Sequence, residues 1–150
     1  MQQQNNYQID FGEEKKGLYW SVVNDGVMGG LSRGRKKLTK NSLLFKGNVS
    51  LDNNGGFSSL RRSFSEFDIS NFEYVEIKYW SSGISLALTF AVSRRWYVPN
   101  YKVSLDGTSS KWKTVTIKFT DLRKHYIGKA MNEQLKKENL KEIIRIRFIT

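Results

Sequence analysis

The chain has no cysteine and only one histidine, His125. The first absence excludes disulfides, thiolate nucleophiles and every cysteine-based zinc or iron–sulfur site. The second excludes multi-histidine metal sites and HExxH-type zinc catalysis. The expectation is therefore no metal and no cofactor. The opening MQQQNNYQID has no basic segment followed by an apolar stretch, so no secretory or transit signal is visible and a cytoplasmic protein is expected. No apolar run approaches the roughly 20 residues of a membrane-spanning helix. Acidic residues are scarce too: 14 Asp+Glu face 25 Lys+Arg, leaving a formal charge of +11. An excess of that size favours anionic partners, whether nucleic acid, acidic protein faces or anionic lipid.

What is present suffices for one domain, 1–150, with residues 1–8 expected to fray. At 39% hydrophobic and 13% aromatic, the 150 residues carry enough bulky material for a single core. Alternation with period two is the dominant pattern. Val75, Ile77 and Tyr79 oppose Glu76, Lys78 and Trp80. Ile84, Leu86, Leu88, Phe90 and Val92 oppose the small residues Ser85, Ala87, Thr89 and Ala91. Val115, Ile117 and Phe119 oppose Thr114, Thr116 and Lys118, and Ile144, Ile146 and Phe148 oppose Arg145 and Arg147. Further strands are expected over Leu18 to Val23, Leu43 to Ser50, Phe57 to Phe64 and Asn100 to Leu105. Turn signals such as Asn24-Asp25-Gly26, Ser81-Ser82-Gly83 and Asp106-Gly107 separate them. Eight or so short strands indicate an all-β sandwich or barrel. One amphipathic helix is expected between Tyr126 and Leu140, where Ile127, Met131 and Leu135 recur every fourth residue.

The densest chemistry lies from Trp20 to Arg62. It reads Trp20-x-x-Val23-Asn24-Asp25-x-Val27-Met28-Gly29-Gly30-x-Ser32, then Phe45-x-Gly47-x-Val49, then Asn54-Gly55-Gly56-Phe57-Ser58-Ser59-x-Arg61. Paired glycines permit positive φ or close approach of a ligand, yet neither segment fits GxxxxGK[ST] or GxGxxG. In order and spacing these blocks resemble the complex I intermediate-associated protein family. That resemblance implies a galactose-binding-like jelly roll and a protein-interaction or assembly role, the better-known members being assembly factors for respiratory complex I. The site expected from it comprises Trp20, Asp25, Met28, Gly29, Gly30, Ser32, Asn54, Gly55, Gly56, Phe57 and Arg61, forming one connected feature. Asp25 would cap a turn or hydrogen-bond across the loops, and Arg61 would offer a guanidinium fork to a carboxylate, Asp25 itself being a candidate. The feature is architectural if that pair is internal, and a binding surface if Met28 and Arg61 face solvent.

Catalysis finds little support. Asp52, Glu66 and Asp68 are available as second carboxylates but lie in no recognisable catalytic context, and His125 lacks a nucleophile elbow. A non-catalytic binding module is expected. Two other partner classes stay open. Trp80, Trp96, Tyr97 and Tyr101 could stack on sugar rings, with Ser85, Ala87, Thr89 and Ala91 flooring a groove or accepting a second layer of side chains. Arg33, Arg35, Lys36, Lys37 and Lys40, with Arg61-Arg62, Arg94-Arg95 and Arg145-x-Arg147, could bind nucleic acid, or the first run could simply tip a solvated loop between strands.

Overall fold

The computed structural model describes residues 8–12, 14, 19–24, 33–48, 58–63, 68–82, 86–95, 98–126 and 129–150. Eleven β-strands run through them in the order β1 (Trp20–Asn24), β2 (Arg33–Leu38), β3 (Leu43–Asn48), β4 (Ser58–Arg62), β5 (Tyr74–Trp80), β6 (Leu86–Ala91), β7 (Asn100–Leu105), β8 (Trp112–Lys118), β9 (Arg123–Tyr126), β10 (Lys129–Gln134) and β11 (Arg145–Ile149). The chain divides into two compact units, Met1–Ser63 with Ile149–Thr150, and Phe64–Phe148.

In the first unit β1 and β4 pair antiparallel, Trp20 opposite Arg62 and Ser21 opposite Arg61. The end of the chain joins them, since Thr150 N–H donates to the Ser58 carbonyl and Ser58 N–H to Thr150 Oγ1. β2 and β3 form a separate antiparallel hairpin, from Arg33 opposite Asn48 to Leu38 opposite Leu43. A Thr39–Ser42 turn closes it. Thr39 N–H donates to the Ser42 carbonyl at 2.9 Å, and Ser42 N–H returns a 2.9 Å bond to Thr39 Oγ1. Gly47 is required where the two strands meet, because a Cβ there would lie 1.7 Å from the Arg33 carbonyl oxygen.

The second unit is a sandwich in its own right. β5 and β8 pair antiparallel, and a second layer runs in the order β11-β6-β7-β9-β10. Alternation aims Val75, Ile77, Tyr79, Val115 and Ile117 inward, where they meet Leu88, Phe90, Tyr101 and Leu105. Phe90 and Phe119 pack edge to face with centroids 5.9 Å apart. β6 is buried on both faces. The small row opposite its apolar one lies inside as well, and Thr89 Oγ1 accepts from Arg147 Nε at 3.2 Å. Of the two roles open to that row, the covered layer is the one found for Ala87, Thr89 and Ala91, and Ser85 lies outside the described residues.

Two segments differ from the sequence reading. The short helix near the C-terminus exists as a 3-10 turn at Lys137–Lys141, held by Lys136 N–H donating to Asn139 Oδ1. In the amphipathic stretch before it, Tyr126 ends β9 and Lys129–Gln134 is β10, with Lys129 opposite Tyr126, while Ile127 lies outside the described residues. Gly128 costs a helix interior about 1 kcal/mol relative to Ala. The core also needs Leu135 and Leu140 without Met131, which stays exposed. The second difference is the Arg33 to Leu38 run, which is strand β2 and not a loop. Its inward positions are Gly34, Lys36 and Leu38, so the apolar alternation that marks a strand is missing from the sequence.

Candidate functional site

Of the expected site residues, Trp20 and Arg61 are described. Asp25, Met28, Gly29, Gly30, Ser32, Asn54, Gly55, Gly56 and Phe57 lie outside the described residues. Trp20 and Arg61 stand on paired strands, but the register puts them on opposite faces: Trp20 shares a face with Arg62, and Arg61 with Ser21. Trp20 is a core residue, 1% exposed, with the Phe11 ring tilted against it at 5.1 Å. Arg61 is half-buried. Its Nε donates to Ser59 Oγ at 2.8 Å, and Ser59 Oγ donates on to the Val23 carbonyl. Burial holds the guanidinium pKa below its ordinary value, because desolvation disfavours the charged form.

The residue that ties this unit together is Asn24, at the end of β1. Its Nδ2 donates to the Gly34 carbonyl at 3.1 Å, and its Oδ1 accepts from Gly34 N–H at 2.8 Å and from Ser58 Oγ at 2.6 Å. One side-chain amide thus satisfies groups on β2 and β4. Gly34 has to be small for this, since a Cβ would fall 2.0 Å from Ser58 Oγ. Lys36 adds a second clip, its Nζ donating to the Trp20 carbonyl. Asn24 stands in the motif, but nothing in the sequence shows that its partners are ten and thirty-four residues away.

On the outer face of β2 and β3, Arg33, Arg35, Lys37, Leu44 and Lys46 are exposed. Lys46 sits directly opposite Arg35.

A second surface belongs to the other unit. Trp80 and Trp112 are directly opposed on β5 and β8, and both are exposed. Lys78 Nζ lies 5.7 Å from the Trp112 ring centroid, within cation–π range. Glu76, Thr114 and Thr116 continue the same exposed row, with Tyr74 at its far end. A reciprocal clasp supports the Trp end: Ser81 N–H donates to Thr108 Oγ1 at 2.8 Å and Thr108 N–H to Ser81 Oγ at 3.0 Å. Ser109 and Ser110 follow with φ of 53° and 61°, an uncommon left-handed pair in non-glycine residues. Sequence reading selected Trp80 and missed Trp112, whose place two residues before Thr114 puts it on the polar face of its strand. Tyr101, also selected, is a core residue, because β7 aims it inward. Trp96 and Tyr97 lie outside the described residues.

Of the remaining candidates, Asp52 and Glu66 lie outside the described residues, and Asp68 and His125 are accounted for locally. Asp68 Oδ1 accepts from the N–H and the hydroxyl of Ser70, and those two bonds hold its pKa below the usual carboxylate value. His125 Nδ1 contacts the Arg123 carbonyl at 3.0 Å. Among the described residues no three His, Asp or Glu gather as a metal site would need, and no helix is long and apolar enough to cross a membrane.

The sequence matches the family described as Complex I intermediate-associated protein 30 (CIA30) over residues 9–150. The chain belongs to this family. No curated protein matches it. Among solved structures it is similar to the family 11 carbohydrate-binding module of the cellulosomal cellulase Lic26A-Cel5E of Clostridium thermocellum. The identity is 19% and the TM-score 0.64, over 87% of this chain and 77% of that one. It is equally similar to the family 11 module from the same organism in complex with a β-1,3-1,4-mixed-linked tetrasaccharide, at 20% identity and TM-score 0.64, over 88% and 79% of the two chains. At such identities the likeness speaks for the fold. This CIA30 chain is an all-β jelly roll, as those modules are.

Proposed function

We propose that this CIA30-family chain is a non-catalytic binding module that holds a protein partner during assembly of a larger complex. The observation that carries the reading is the family match across residues 9–150, nearly the whole chain. The motif region supports it in a second way. The Asn24, Gly34 and Ser58 network fixes the strands flanking the glycine-rich segments, a rigid frame of the kind on which binding loops are presented. In this reading Met28 and the exposed part of the half-buried Arg61 face the partner.

The test is a tagged pull-down from lysate of the native host, with and without nuclease, washed at low and at moderate salt. A defined protein set surviving both treatments, and lost on Met28→Asp or Arg61→Glu, is the expected result. Retention that vanishes with nuclease would move nucleic acid to first place.

One observation favours a second reading, carbohydrate binding. The exposed Trp80 and Trp112 pair, flanked by Glu76, Thr114 and Thr116, offers aromatic faces beside hydrogen-bonding groups, and the similar solved structures are carbohydrate-binding modules. Saturable quenching of tryptophan fluorescence by an oligosaccharide, abolished by Trp112→Ala, would support it. A flat titration across a broad glycan panel would end it.

A further inference from the structure

β2 separates its side chains into two rows with different work. Gly34, Lys36 and Leu38 turn inward, and Lys36 is engaged on the Trp20 carbonyl. Arg33, Arg35 and Lys37 turn outward and are exposed. Alternate residues of a strand recur about 6.7 Å apart, so these three cations form a straight row with Lys46 beside it, opposite Arg35. Residues 33–48 contain six Lys and Arg and no Asp or Glu. None of Arg33, Arg35, Lys37 or Lys46 makes an ion pair among the described residues.

Two features distinguish this row from an ordinary solvated face. Arg35 directly opposite Lys46 is a like-charge cross-strand pair, which weakens a sheet, so the free protein carries an electrostatic cost that an anion laid along the row removes. The row is also held rigid. The Thr39–Ser42 turn closes the hairpin at one end, and Asn24 and Lys36 bind it to the neighbouring strands. Little order then has to be imposed on binding.

We infer that this outward row is the docking surface for an extended acidic segment of the protein partner, with carboxylates at alternate positions. The inference rests on the assembly-module reading and supplies the chemistry of its partner. An extended peptide repeats its alternate side chains at the same spacing of about 6.7 Å, so each carboxylate meets one cation. Guanidinium forks accept carboxylates in the bidentate geometry that gives charge pairs their specificity. The exposed apolar neighbour is Leu44, an aliphatic side chain. Among the described residues the face therefore carries no aromatic platform on which single-stranded nucleic acid would stack its bases.

Fluorescence anisotropy with three labelled probes tests this: a peptide of about twelve residues alternating Glu and Thr, a peptide of the same composition with its Glu in one block, and an oligouridylate of equal charge. The alternating peptide is expected to bind about fivefold tighter than the block peptide and tighter than the oligouridylate, as the matched repeat requires. The Arg33→Glu/Arg35→Glu/Lys37→Glu variant should weaken it about tenfold or more, while Arg95→Glu/Lys111→Glu/Lys113→Glu, a charge-matched change in the second unit, should not. Thermal unfolding separates binding from folding. Reversing Arg35 turns the Arg35–Lys46 pair into an attractive one, so Arg35→Glu alone should melt at or above the parent temperature while binding more weakly. Equal affinity for the two peptides, tighter binding of the oligouridylate, or no effect of the triple reversal overturns the inference. If the pull-down partner is retained by the triple variant, this surface is wrong and the assembly reading stands. If no partner is captured, the assembly reading itself fails.

Discussion

In the second unit the interior is mostly apolar: Leu88, Phe90, Leu105, Ile117, Phe119, Leu122 and Ile143 meet between two sheets with little exposed surface among them, and Ser70, Thr89 and Thr108 are its buried polar residues among those described. In the first unit the buried positions include Ser58, Ser59 and Arg62 beside Trp20 and Leu60, and the strands are tied by side-chain hydrogen bonds to backbone groups. One unit is held by packing, the other by polar complementarity around a few irreplaceable small residues. The difference matters for function. Packing tolerates drift in surface chemistry, whereas a polar frame fixes strand register residue by residue and so fixes the spacing of what those strands display. The ordered row of cations belongs to the unit built in the second way.

The sharpest way to break this comparison is to empty the packed interior. Phe90→Ala should cost about 3–5 kcal/mol, read as a lower denaturant midpoint, because a ring is lost and its cavity only partly collapses. A loss below about 1 kcal/mol would show that the second unit does not depend on packing. The corresponding test of the first unit is Asn24→Ala, which leaves Gly34 N–H and Ser58 Oγ without their acceptor. About 2 kcal/mol is expected by the same measurement. Asn24→Asp keeps Oδ1 but loses the donor to the Gly34 carbonyl, so its cost should be roughly half as large. Equal effects would mean the acceptor is not what matters. Smaller again is the gain expected from Arg35→Glu, about 0.2–1 kcal/mol, the swing of one cross-strand charge pair.

The smallest effect is acid-dependent. Asp68 and Glu133 both have folded-state pKa values below their ordinary ones, Asp68 through its Ser70 hydrogen bonds and Glu133 through its bond to Lys124. A depressed carboxylate stabilises the fold above its unfolded pKa, and that contribution is lost as pH falls through the folded value. Thermal melts recorded from neutral pH to below about pH 4 should therefore decline less steeply in Asp68→Asn than in the parent. Superimposable curves would mean the Asp68 interaction also persists in the unfolded chain.

Much of the second unit was legible in the residues. The alternation over Tyr74 to Trp80, Ile84 to Val92 and Trp112 to Phe119 marks strands, and they appear as β5 (Tyr74–Trp80), β6 (Leu86–Ala91) and β8 (Trp112–Lys118). The failures have physical causes. β2 buries a glycine and the stem of a lysine where the pattern calls for apolar residues, and a lysine can do this because its long stem packs while its ammonium finds a carbonyl. The stretch from Tyr126 to Leu140 carries apolar residues at helical spacing, yet Gly128 disfavours a helix and it is Leu135 and Leu140 that the core buries. Tyr101 was misassigned because an aromatic residue next to charge reads as exposed until its strand partners are known. For the expected site, Trp20 and Arg61 could be placed on strands, but neither the pairing of those strands nor the face each residue takes could be read. That assignment depends on the β1–β4 register, which is set by contacts forty residues apart in sequence.

Hydrogen exchange followed by mass spectrometry, with and without the alternating Glu–Thr peptide, sets the two units against each other in one measurement. Docking on the outward face of the hairpin predicts slowed exchange confined to residues 33–48, with 74–80 and 112–118 unchanged. Protection centred on 74–80 and 112–118, around Trp80 and Trp112, would contradict the account and move the binding surface to the second unit.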